Sequence, residues 1–390
     1  MSDNRRSRDH RFLVGADSTP DAPSLSRSFR RPNVVVVHRK GELRVACTSD
    51  LATLRRAFPN STTDAVLRLL RALRGYTVIT QPEIVQRAEE FCGPLDRWIL
   101  RAHAGDDLKR LHFEVACGTS DPEAIVKFSR LPGNHAVFDV EADLLRSFEQ
   151  YTADVRRPVP RLLGHGETRN GERFNVEEAV GVPGFGRAVQ DANQATERID
   201  AVVEWLSALA GESQVTNSES AARLDALLQS TGASPFFADM DIPSVCAHND
   251  LGTWNLTLRD EGFGVVDWEG AERMGFPIWD LFYFLIDVFT LPNDAVDTRV
   301  RRAMDILAGE GPKAADFWQY LSAYATRIGL NERAIKPLLT TCMIHHSRSL
   351  QQRSERGDGL GTSAAGIRYL HGELLDAFLA DGQFSRGWAR

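Results

Sequence analysis

The spacing of apolar residues changes along this chain, and the changes divide it into regions. Short runs rich in β-branched and aromatic residues occupy 34–38, 42–48, 98–102, 109–116 and 123–128. Turn formers bound them, such as Arg39-Lys40-Gly41 and Cys117-Gly118-Thr119-Ser120-Asp121-Pro122, so they read as strands joined by hairpins. Helical spacing appears at 51–57, over Val66, Leu67, Leu69, Leu70 and Leu73, and from Pro82 to Glu90. It returns at 136–151, where Val140, Leu144, Leu145 and Phe148 share a face. Strands at 161–164 and 173–179 follow, separated by the turn Asn170-Gly171. From 192 onward the period is helical, at 192–210, 218–229, 278–290, 297–309, 313–328, 331–353 and 363–380. This pattern predicts an α+β chain with a small β-sheet lobe holding one helix and a larger helical lobe. The boundaries are a disordered tail over 1–32, an N-terminal α/β extension of unknown role over 33–93, a sheet lobe over 94–181 and a helical lobe over 182–390.

One stretch breaks the helical half. Residues 245–280 place two apolar runs around a polar loop, His248-Asn249-Asp250-Leu251-Gly252-Thr253-Trp254-Asn255, and the second run ends on Asp267. A carboxylate in a polar loop after a buried strand can face an acceptor hydroxyl. An amide five positions on and a carboxylate at the next strand end can hold a cation on nucleotide phosphates. Asp250 is therefore the candidate base, and Asn255 and Asp267 are the candidate magnesium ligands. Taken singly, each is an ordinary turn residue; the spacing of all three carries the reading. His248 reads as a brace for the loop rather than as a base.

Composition narrows the class. Net charge is -7 over 390 residues, which argues against a nucleic-acid-binding body. The five cysteines are odd in number and show no metal spacing, as in a reduced cytoplasmic protein. No uncharged apolar run is long enough to span a membrane. Lysine occurs only at positions 40, 109, 127, 313 and 336. Lys127, inside Ala124-Ile125-Val126-Lys127-Phe128, is thus an informative cation. Its ammonium needs a partner in an apolar strand; Glu141 on the next helix is the first choice, with Glu149 and Asp143 behind it. Gly105 is the one glycine in the turn between the first two strands of the sheet lobe and the candidate phosphate-loop residue. Glu178 and Val180, in the linker Glu177-Glu178-Ala179-Val180-Gly181, could offer backbone groups to a nucleotide base.

The loop, Val265-Val266-Asp267-Trp268-Glu269 and Gly275-Phe276-Pro277-Ile278-Trp279-Asp280-Leu281 together resemble the aminoglycoside phosphotransferase/choline kinase-like family, whose fold is similar to that of protein kinases. The resemblance covers roughly 95–380. It implies that Asp250 orients the acceptor, that Asn255 and Asp267 bind magnesium, and that Lys127, paired with Glu141, contacts the α- and β-phosphates. It also implies that Asp280 braces the catalytic loop and that Glu269 adds a metal or substrate contact. The expected activity is transfer of the γ-phosphate of ATP or GTP to a hydroxyl of a small molecule: an aminoglycoside, an amino alcohol, a sugar or a biosynthetic intermediate. Asp287, Asp294 and Asp297 are acidic candidates for drawing a cationic acceptor. The expected partners are nucleotide and acceptor, with no nucleic acid and no membrane, and the extension is a candidate homodimer contact. The rival expectation is a catalytically silent kinase-like binding or regulatory protein.

Overall fold

The computed structural model describes residues 34–39, 42–47, 83–95, 97–103, 110–116, 122–129, 135–191, 193–291, 295–355 and 362–380. The expected tail, the helices expected at 51–57 and 62–73, Gly105 and Asp294 lie outside them. The chain divides into two compact units, Met1–Ala142 with Arg161–Ala179, and Asp143–Pro160 with Val180–Arg390.

The first unit is built on a sheet of strands β1 Val34–Arg39, β2 Glu42–Cys47, β3 Arg97–His103, β4 Arg110–Ala116, β5 Ala124–Ser129, β6 Leu162–Glu167 and β7 Arg173–Glu178. Every pairing is antiparallel and the order is β1-β2-β3-β4-β5-β7-β6. The hairpin expected at the start of the extension is present. Its sequence carried no sign that β2 also pairs with β3, Glu42 opposite His103 through Cys47 opposite Trp98. Helix α1, Glu83–Cys92, likewise joins this unit: Ile84, Val85 and Ala88 pack with Trp98, Phe113, Val126 and Phe128. The described part of the expected extension thus supplies an edge and part of the core of the sheet unit. The physical reason is burial: a two-stranded hairpin is marginal alone, and an amphipathic helix needs an apolar face to cover.

Alternation along β5 separates the two faces of the sheet. Ala124, Val126 and Phe128 are buried in the α1 core, and Ile125 and Lys127 point the other way. On that second face lies α2, His135–Ser147, whose Glu141 reaches Lys127.

The second unit is mainly helical, with α3 Ala195–Ser213, α4 Ser218–Gln229, α5 Trp279–Phe289, α6 Val296–Leu307, α7 Ala314–Arg327, α8 Ile335–Glu355 and α9 Thr362–Ala380. These agree with the helices read from the apolar period. Short strands interrupt them: β8 Val182–Pro183, β9 Val245–Ala247, β10 Leu256–Leu258, β11 Phe263–Val265 and β12 Glu272–Gly275. They form the sheets β11-β10-β8 and β12-β9. Gly181, at φ +75, lets the chain press on β10; a Cβ there would sit 2.3 Å from the carbonyl oxygen of Leu258. All residues of α5 are buried, as expected for a helix at the centre of a helical unit. No described helix is long and apolar enough to cross a membrane. The whole is the α+β, protein-kinase-like order implied by the resemblance: a sheet unit with an inserted helix, then a larger helical unit.

Candidate active site

The loop begins where β9 ends. Val245, Cys246 and Ala247 are all buried, and burial pushes the Cys246 thiol up to about 12, aided by the nearby Asp280 carboxylate. That sulfur has no thiolate to offer. The next residue, His248, is also buried. Its Nε2 is 3.0 Å from the carbonyl oxygen of Val266 and therefore donates, and its Nδ1 accepts the N–H of Asp250 at 3.3 Å. Both ring nitrogens serve the backbone and the ring lies on Trp268, centroids 4.7 Å apart. This is a bracing geometry, with no nitrogen left for proton transfer.

Three polar residues punctuate the apolar helix α5 at positions i, i+3 and i+7: Asp280, Tyr283 and Asp287. That spacing puts them on one face, and buried polar groups need partners. All three find them in the loop. Asp280 accepts the N–H of His248 at 2.6 Å and of Asn249 at 2.8 Å. Burial raises the Asp280 carboxyl above the usual carboxylate range, while His248 and the two N–H bonds pull it back. Tyr283 donates its hydroxyl to Asp250 Oδ1 at 2.9 Å. Asp287 accepts the N–H of Thr253 at 2.8 Å and is paired with Arg299 at 2.9 Å. Asp287 is thus a buried loop anchor, which corrects the expectation that it could draw a cationic acceptor. Asp297 is exposed in the first turn of α6.

Asp250 is half-buried at the loop's centre. Its carbonyl oxygen accepts from Asn255 Nδ2 at 2.8 Å, and its Oδ2 is 3.4 Å from the same nitrogen. With Nδ2 spent in this way, the amide oxygen is the atom of Asn255 that can take a cation. The β10–β11 register, Leu256 opposite Val265, brings Asn255 beside Val266, whose N–H donates to the carbonyl oxygen of Asn255 at 2.9 Å. Asp267 comes next, so Asn255 and Asp267 stand at the same end of one strand pair. Among the described residues no group of three or more His, Cys, Asp or Glu gathers that could hold a metal ion. Two hard oxygen donors suit magnesium, which takes its other ligands from phosphates and water. The residues present fit the ion. Glu269 lies two residues beyond Asp267 in a single-turn helix and is half-buried.

Backbone strain collects in this stretch. Asn249, Asp267 and Ile278 adopt φ of 62°, 69° and 72°, and among the described residues they are the non-glycine positions with positive φ. Each costs of order 1–3 kcal/mol, and Ile278 is β-branched, the least tolerant type. Ile278 precedes Asp280, so the strained turn sets the direction in which α5 starts.

In the first unit, Lys127 lies 2.6 Å from Glu141 and 3.1 Å from Glu177, both carboxylates being buried. The first partner is the one expected. The second was not anticipated; alternation places Glu177 two residues from Asn175, which lies opposite Lys127. Asn175 Nδ2 also donates to Glu141 Oε2 at 3.1 Å. The runners-up are engaged elsewhere, Asp143 with Arg146 and Glu149 with Arg156. In the linker, Glu178 donates its N–H to the carbonyl oxygen of Arg161 at 2.9 Å. The carbonyl of Val180 accepts the Thr257 hydroxyl, so the base contact at Val180 would fall to its N–H.

Sequence reasoning missed Tyr283, the Asp287–Arg299 pair and Glu177. Tyr283 and Asp287 had a legible signal, three polar residues at helical spacing inside an apolar helix, whereas Arg299 had none. Glu177 had none, because a glutamate at a strand end is ordinary.

The phosphotransferase enzyme family matches residues 212–318. No curated protein matches the chain. Among solved structures, a thermostable mutant of aminoglycoside phosphotransferase APH(4)-Ia, in ternary complex with AMP-PNP and hygromycin B, is similar at 11% identity and a TM-score of 0.46, covering 76% of this chain and 99% of that one. The GDP complex of aminoglycoside 2'-phosphotransferase-IIIa has 13% identity and a TM-score of 0.44, covering 76% and 99%. Aminoglycoside phosphotransferase APH(3'')-Id from Streptomyces rimosus has 15% identity and a TM-score of 0.35, covering 58% and 85%. Residues 212–318, which hold Asp250, Asn255 and Asp267, carry the match to the phosphotransferase enzyme family, in keeping with the resemblance noted from the sequence.

Proposed function

We propose that this protein transfers the γ-phosphate of ATP or GTP to a hydroxyl of a small molecule. The observation that carries the proposal is the braced loop. One buried helix face fixes Asp250 in a loop that runs on to Asn255, beside Val266 and next to Asp267 in the backbone pairing. In this reading Asp250 orients the acceptor hydroxyl and receives its proton. Asn255 and Asp267 hold magnesium, which supplies charge neutralisation on the phosphates. Glu269 is a further metal or substrate contact, and Asp280 and His248 keep the loop in place. The first unit supplies Lys127, held by Glu141, to the α- and β-phosphates, and the linker at Glu178 and Val180 supplies backbone contacts to the base. Gly105 belongs to the proposed phosphate turn. Catalysis is then mainly positioning and electrostatics. The acceptor is one of the classes named above, and a homodimer through residues 33–93 is the matching proposal for assembly, testable by mass in solution.

The test is a transfer screen over hydroxylated small molecules with ATP and GTP in parallel. Radiolabelled phosphate appearing on one acceptor class supports the reading. Nucleotide binding without turnover on any acceptor favours a regulatory protein instead. Chelation of divalent cations is expected to stop transfer and added magnesium to restore it; turnover that survives chelation contradicts the roles of Asn255 and Asp267. Lys127→Ala is expected to raise the nucleotide KM by roughly tenfold or more, the scale of a lost hydrogen bond to a charged group. An unchanged KM in steady-state kinetics would remove Lys127 from the nucleotide site.

A further inference from the structure

Asp250 has two carboxylate oxygens, and the acceptor's hydroxyl must meet one of them at a defined angle. The protein holds the other. Tyr283 Oη donates to Oδ1 at 2.9 Å, and its own position is over-determined. Tyr283 is 1% exposed within a helix that is buried all round. Its ring lies against Trp254, centroids 5.8 Å apart, and against His346, 4.5 Å apart. Trp254 is in turn folded over the loop, since a Cβ on Gly252 would meet its ring at 2.0 Å. The hydroxyl therefore cannot swing away from the carboxylate without unpacking three rings.

We propose that Tyr283 is a positioning residue for phosphoryl transfer: its hydroxyl selects one rotamer of the Asp250 carboxylate and so aims Oδ2 at the acceptor. The proposal rests on the phosphotransferase reading. Its physical basis is that Asp280 and Asp287 fix only the backbone of the loop, at His248, Asn249 and Thr253. The side chain of Asp250 keeps its own torsions; Asn255 Nδ2 approaches its Oδ2 at 3.4 Å, a longer contact than the 2.9 Å bond from Tyr283, and a carboxylate that samples two rotamers presents the wrong oxygen part of the time. A hydrogen bond from a rigid phenol removes that freedom before substrate arrives. A phenylalanine at 283 would keep the ring contacts and lose the hydroxyl that holds the carboxylate.

The experiment is Tyr283→Phe in the full chain, read in two ways. In the transfer assay, kcat is expected to fall roughly tenfold, the weight of one hydrogen bond to a charged group, while the nucleotide KM stays as in the parent and the variant still unfolds cooperatively, at a melting temperature lowered by the loss of that one bond. A kcat equal to or above that of the parent overturns the proposal, the higher value meaning that the phenol sits where the acceptor hydroxyl must go. A nucleotide KM that rises with the fall in kcat overturns it too, since the loop as a whole has then moved. The second reading needs no turnover: crystal structures of parent and variant are expected to show a single Asp250 rotamer in the first and more than one in the second. An Asp250 carboxylate that stays put in the variant overturns the proposal. Absence of transfer by the parent defeats the phosphotransferase reading alone, and the crystallographic comparison still decides whether Tyr283 sets the rotamer.

Discussion

Asp250→Ala is expected to lower transfer by roughly three orders of magnitude and to leave nucleotide binding intact. A positioned general base contributes about 10²–10⁴-fold, and orientation of the acceptor is lost with it. The loop itself should survive. Asn255 Nδ2 bonds the main-chain oxygen of residue 250 at 2.8 Å, which alanine retains, and only its longer 3.4 Å contact goes. The N–H groups of His248, Asn249 and Thr253 stay on Asp280 and Asp287. Tyr283 loses a partner for its hydroxyl, a cost of about 1–3 kcal/mol. Transfer kinetics measure the first expectation, and thermal shift with magnesium nucleotide measures the second. Full turnover in the variant would sink the assignment of Asp250. A variant that fails to bind nucleotide would show that the loop depends on this side chain for its shape.

Arg299→Leu is expected to cost the second unit about 3–5 kcal/mol, the scale for removing one partner of a buried ion pair. The side chains of Arg299 and Asp287 are 3% and 1% exposed. The guanidinium bonds Thr290 Oγ1 at 3.0 and 2.8 Å as well as Asp287 Oδ1 at 2.9 Å. Without it, Asp287 retains from these contacts the N–H of Thr253, 2.8 Å away. A carboxylate left so poorly compensated draws in water, which loosens the anchor at Thr253. Turnover should therefore fall together with stability, unlike in Asp250→Ala. Urea unfolding followed by probes in the second unit measures the cost. The double change Arg299→Leu with Asp287→Asn should recover part of it, because an amide can still accept from Thr253 without a buried charge. A loss below about 1 kcal/mol in the single variant would mean that the pair is well solvated in solution.

These two variants also mark what could be read before folding. Asp250 was legible because the proposed reaction demands particular residue types at particular chain separations, and His248, Asp250, Asn255 and Asp267 lie within twenty residues along the sequence. Arg299 was invisible: one arginine on an amphipathic helix resembles any other until its partner is known. Lys127 with Glu141 could be anticipated because an ammonium in an apolar strand must be satisfied by the next element. Its second carboxylate, Glu177, arrives from a strand placed beside it by sheet order rather than by sequence order.

Sequence alone determined the elements and the candidate chemistry of this protein. The period of the apolar residues marks each long helix of the second unit and the five strands β3 to β7, because secondary structure follows local periodicity. The motif spacing sets out the candidate base and candidate metal ligands, because one loop and one strand pair carry them all. Tertiary structure alone decided how the hairpin and α1 are used, which carboxylates are anchors, and what holds the loop. The residues that brace Asp250, namely Asp280, Tyr283 and Asp287, come from a helix that begins some thirty residues later. Burying that helix on every side turns its polar face to the loop and, at Asp287, also to Arg299.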